Sequence, residues 1–95
     1  MHARKQLTFF VVPRSGPVRT LETLGDATQA LLNDLPYGMR KPPHWLEAGR
    51  LVLRATETGL PADIRAATEA LLRAIVHEGW MERGDRGAIT EATTG

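Results

Sequence analysis

The imidazoles of His2, His44 and His77 are the side chains in this 95-residue chain best suited to proton transfer or metal binding near neutral pH. Each role needs company. A helical metal site places a second ligand three or four residues away, and none of the three histidines has one at that spacing. A general base needs a nucleophile, yet the single serine, Ser15, stands in a turn without the pattern of a nucleophile elbow, and cysteine is absent. His77 stands next to Glu78 near the end of a helical pattern, where the helix dipole favours a cation, so it reads as a helix-end residue. The carboxylates Glu22, Asp26, Asp34, Glu47 and Asp63 fall at element ends or on polar faces, the default place of solvated charge. The glycines at 16, 25, 38, 49, 59 and 79 are isolated, and neither G-x-G-x-x-G nor G-K-[ST] occurs. The residues therefore predict a noncatalytic protein with no cofactor and no metal.

Cations offer a second line. Arg40 and Lys41 in a loop, with His44, Arg50 and Arg54 on the helix that follows, could converge on one face and meet the phosphates of a nucleic acid. Glu47 and Glu57 are interleaved among them, which dilutes the field. A helix, the turn Gly59-Leu60-Pro61 and another helix resemble a helix-turn-helix, but the second helix begins with Asp63 and carries Glu69, which repel a phosphate backbone. Overall, 12 Lys and Arg against 11 Asp and Glu give a formal charge of +1, too small for long-range steering of anions.

These residues must be held by a single core, since 95 residues fit one domain and cannot be divided into two. Hydrophobic residues make up 42% and charged residues 24%, so the chain has the composition to fold. With no cysteine, a disulfide framework is excluded and a reducing compartment expected. The only early apolar stretch, Leu7 to Val12, is stopped by Pro13 and is too short for a signal h-region or a membrane span, so cytoplasmic residence is expected.

Leu7 to Val12 is rich in aromatic and β-branched residues and reads as a strand; Arg14-Ser15-Gly16 reads as a turn and Pro17 to Leu21 as the returning strand of a hairpin. Thr23, with Asp26 three positions on, has the form of an N-cap, and Leu24, Ala27, Thr28, Leu31 and Leu35 make a helical stripe ended by Pro36. Pro43 suits the first position of a second helix running to about Thr58, with Trp45, Ala48, Gly49, Val52 and Thr56 on one stripe, Leu46 and Leu53 beside it, and Gly59 as the stop. Gly49 in mid-helix costs about 1 kcal/mol relative to Ala, which predicts that another backbone packs closely there. Pro61 opens a third helix whose apolar arc includes Ile64, Ala67, Leu71, Leu72, Ala74, Ile75 and Val76, wider than one neighbour needs. Trp80 is expected to fold back on the helices. The domain is expected to end at 83, with 84–95 as a flexible tail.

The run from Val18 to Leu21, the segment Ala27-Thr28-Gln29-Ala30-Leu31-Leu32 with Pro36, then Trp45, Ala48, Ala55 and Gly59, and the alanine-rich helix Ile64 to Ile75 resemble the domain of unknown function 982 family of short bacterial proteins. The resemblance covers Val18 through Trp80. It implies a small α+β fold and brings no functional residues.

Together these readings predict an N-terminal antiparallel β-hairpin packed against three α-helices, strands first and helices after. They predict a self-associating protein-interaction module, a homodimer whose contact surface includes Phe9, Phe10, Leu72 and Val76, with a further protein partner open and no membrane association. The alternative partner is a nucleic acid held by Arg40, Lys41, Arg50 and Arg54.

Overall fold

A computed structural model describes residues 2–36, 38, 42–80 and 89–91. Strand β1 (Gln6–Val11) pairs antiparallel with β2 (Leu21–Thr23), and three helical segments follow, so the α+β architecture with strands before helices holds. Helix α1 (Leu24–Gln29) continues into a π-helical turn (Ala30–Asp34); α2 spans Pro43–Thr58 and α3 Pro61–His77.

Local chemistry sets most boundaries. Thr23 Oγ1 accepts from the Asp26 amide at 3.1 Å while Asp26 Oδ2 accepts from the Thr23 amide at 3.2 Å, a reciprocal cap that satisfies two otherwise orphaned donors. The same carboxylate oxygen accepts from the Glu22 amide on β2. Pro43 and Pro61 stand in the first turns of α2 and α3, where their missing amides cost nothing. Gly59 closes α2 at φ +66°, and a Cβ there would also collide with the His2 ring.

Three features depart from the sequence reading. The return strand begins at Leu21 rather than Pro17, because the preceding segment is held by distant partners. The amides of Arg14 and Ser15 donate to the Trp80 carbonyl, and Arg19 donates through its backbone, Nε and Nη2 to the Asp34 carboxylate. The first helix changes to π geometry at Ala30, with the Leu35 amide donating to the Ala30 carbonyl five residues back. The expected tail from 84 to 95 contains a strand. β3 (Ile89–Glu91) pairs antiparallel with the other edge of β1, giving the order β2-β1-β3 with Phe9 opposite Glu91 and Val11 opposite Ile89. The rest of that tail lies outside the described residues.

The core gathers Leu7 and Val11 from β1, Leu21 and Leu24, Trp45 and Val52 from α2, and Ile64, Leu71 and Ile75 from α3. Helix α3 contacts both β1 and α2; α2 in turn contacts α1. This explains the wide apolar arc of α3. Leu72 and Val76 are half-buried and pack against the core of their own chain, as does Phe9, so the arc serves two neighbours within one molecule. The sequence reading gives these residues to a second chain; part of their surface is taken up by their own core. Phe10 is half-buried and stands apart from the residues packed on the core. Thr68, fully buried on α3, donates to the Ile64 carbonyl and accepts from the Thr8 amide, which lies outside the stretch of β1 paired with β3.

Candidate functional site

Two places on α2 combine functional side chains, one polar and one apolar. At its N-terminal end, Glu78 Oε2 meets His44 Nε2 at 2.8 Å and accepts from the Trp45 indole N–H, also at 2.8 Å. Trp45 is only 3% exposed, so that acceptor is what its N–H has in place of water. The His77 ring lies 4.2 Å from the His44 ring, centroid to centroid, and Trp80 lies 6.0 Å from Trp45. The hydrogen bond with His44, and after it that from Trp45, hold the Glu78 carboxyl below its usual value, against a smaller opposing effect of burial.

The arrangement ties the end of α3 to the start of α2. A carboxylate beside the first turn of α2 is favoured by that helix's dipole. Residues 44, 45, 77 and 78 are far apart in sequence, which is why spacing alone had shown His44 and His77 as unrelated. Among the described residues no group of three or more His, Cys, Asp or Glu could hold a metal ion. Glu78 is occupied by two donors, and Ser15 stands in the exposed turn that meets Trp80 through its amide.

The expected cationic patch is divided. Arg40 and Lys41 lie outside the described residues. Arg50 Nη2 is 2.5 Å from Glu47 Oε1, and Arg54 Nε is 3.5 Å from Asp63 Oδ1, so both described arginines face carboxylates of their own chain. The hydrogen bond from Arg50 holds the Glu47 carboxyl below its usual value, and the same bond raises Arg50.

The apolar place lies on the opposite flank of α2. A cleft of about 520 Å³ opens between α1 with its π-helical turn and α2, lined by Thr28, Leu31 and Leu32 on one wall and Gly49, Val52 and Leu53 on the other. A smaller recess of about 200 Å³ shares Leu31 and Gly49 and continues to Leu35, Trp45 and Leu46. Around this groove stand Leu32, Leu46 and Leu53, exposed to 59%, 61% and 61%; Leu60, at the α2–α3 turn, is exposed to 55%. Leucines exposed to this degree along one continuous groove are the type of patch that marks an interaction surface. Among the described residues, a Cβ placed on Gly49 would meet nothing within 4 Å, so the close backbone predicted there is not supplied by them.

Sequence reasoning had set Leu46 and Leu53 merely beside the α2 stripe. The signal was present: they are seven residues apart, hence on one face, and that face is not the one carrying Trp45, Ala48, Val52 and Ala55. Among the described residues no helix is long and apolar enough to cross a membrane. No family model, curated protein or solved structure matches this chain.

Proposed function

We propose that this protein is a noncatalytic interaction module that self-associates, using the groove between α1 and α2. The observation that carries the reading is the set of exposed leucines, Leu32, Leu46 and Leu53, standing over an apolar cleft. Desolvating such side chains is worth roughly 25 cal/mol per Å² of apolar area, and the monomer leaves that gain unused. A chain without cysteine suits a reducing, cytoplasmic setting. The polar cluster supports the noncatalytic half, because Glu78, His44 and Trp45 satisfy one another.

Size-exclusion chromatography with light scattering tests it. The chain at tens of micromolar should elute with twice its 10.4 kDa mass, and aspartates at Leu46 and Leu53 should return it to monomer. A wild-type monomer across the accessible concentration range would overturn the reading.

A further inference from the structure

We infer that the self-associated form is a two-fold dimer in which α2 packs antiparallel against α2 of a second copy, centred between Gly49 and Arg50. The inference rests on the self-association reading and adds to it an element, an orientation and a register.

Gly49 supplies the first argument. A glycine in the interior of a helix costs about 1 kcal/mol relative to alanine, and such a residue is commonly kept where a backbone must approach closely. Among the described residues nothing lies within 4 Å of the position its Cβ would take. Its two exposed neighbours on that face, Leu46 and Leu53, lie at equal distances on either side of the point between residues 49 and 50. In a two-fold interface residue i meets j and j meets i. Leu46 would then meet the partner's Leu53, and Leu53 the partner's Leu46, while the two glycines face each other near the axis and let the helices close.

Charge supplies the second. Glu47 and Arg50 form an exposed ion pair on one side of this face, with a net charge of zero. Antiparallel pairing places the two copies of this ion pair on the same side of the interface. With a rise of about 1.5 Å per residue, Arg50 falls about 3 Å along the axis from the partner's Glu47, nearer than the roughly 4.5 Å to its own. Each guanidinium would thus lie between two carboxylates, a self-complementary quartet. The parallel arrangement, whose two-fold axis runs along the helices, puts the two ion pairs on opposite sides of the interface, so the quartet cannot form.

The absence of native cysteine makes the test direct. With Gly49→Cys, mild oxidation should give a disulfide-linked dimer, since Cα atoms near the axis come within the roughly 4.4–6.8 Å that a disulfide spans. Leu46→Cys alone should not link, because its symmetry mate lies about 10 Å away along the helix axis, whereas an equimolar mixture of Leu46→Cys and Leu53→Cys should. As a second variant, Gly49→Leu should keep the wild-type circular dichroism while weakening association by about tenfold or more. If the wild type is dimeric but Phe10→Cys links and these pairs do not, or if Gly49→Leu associates as tightly as the wild type, the α2 register is overturned and self-association stands. A wild-type monomer would remove both.

Discussion

Helix α2 has two flanks of opposite character. Toward α3 it is closed: Ala48 and Ala55 are buried, and the one indole N–H at that end reaches a carboxylate at 2.8 Å. Toward α1 it is open, with a glycine whose Cβ position meets no described residue within 4 Å, exposed leucines and a cleft of about 520 Å³. The same helix thus satisfies one side within its own chain and leaves the other side incomplete. The contrast separates apolar width from exposed apolar surface. Helix α3 has the wider apolar arc, yet it lies against both β1 and α2 and uses most of that arc internally, with Leu72 and Val76 half-buried. The surface left over is on the narrower helix, beside the short α1 that does not cover it.

The comparison gives a graded set of expectations. Trp45→Ala acts on the closed flank, removing a buried ring and the donor to Glu78, and should cost about 3–5 kcal/mol in urea unfolding. A loss below 1 kcal/mol would show that this flank is looser than described. Glu78→Ala leaves the Trp45 N–H buried without an acceptor, which should cost about 1–3 kcal/mol at neutral pH. Because the Glu78 carboxyl is depressed in the folded state, its contribution is complete above its ordinary value near 4.5 and is lost as pH falls through the lower folded value. The gap between wild type and Glu78→Ala should therefore narrow in acid, below about pH 4.5, and stay constant just above it; a gap that widened with acid would contradict the assigned sign.

On the open flank the expected effects on folding are smaller. Gly49→Ala adds a methyl to empty space and should stabilise the monomer by about 1 kcal/mol, seen as a higher urea midpoint; destabilisation would mean that the site is crowded. Leu46→Asp with Leu53→Asp should change monomer stability by no more than about 0.5 kcal/mol each, as for exposed positions without structural partners. A substantial loss would place these leucines in the fold rather than in an interface.

What was legible in the sequence follows the range of the forces involved. The Thr23–Asp26 cap, the prolines at 43 and 61 and the Gly59 stop are local, and each falls where its chemistry predicts. The stripe of Trp45, Ala48 and Val52 was readable because helical periodicity determines which side is buried. The strand at Ile89–Glu91 was not, since three residues beside Gly87 carry no periodicity and their pairing with β1 is made across some 80 residues. The shift of β2 to Leu21 depends on Trp80 and Asp34, and the approach of His44 to His77 depends on how α2 and α3 pack. The groove itself escaped because exposure is a property of what fails to cover a residue. Leu46 and Leu53 carried the right spacing, but only the position of α1 shows that nothing in the described chain lies over them.

Sedimentation equilibrium of the wild type beside the Leu46→Asp/Leu53→Asp variant tests the central claim most directly. The account predicts a reversible monomer–dimer equilibrium for the wild type and a monomer for the variant at every concentration, with both equally folded by circular dichroism. A wild-type chain that stays at 10.4 kDa, or a variant that dimerises as tightly as the wild type, would contradict it.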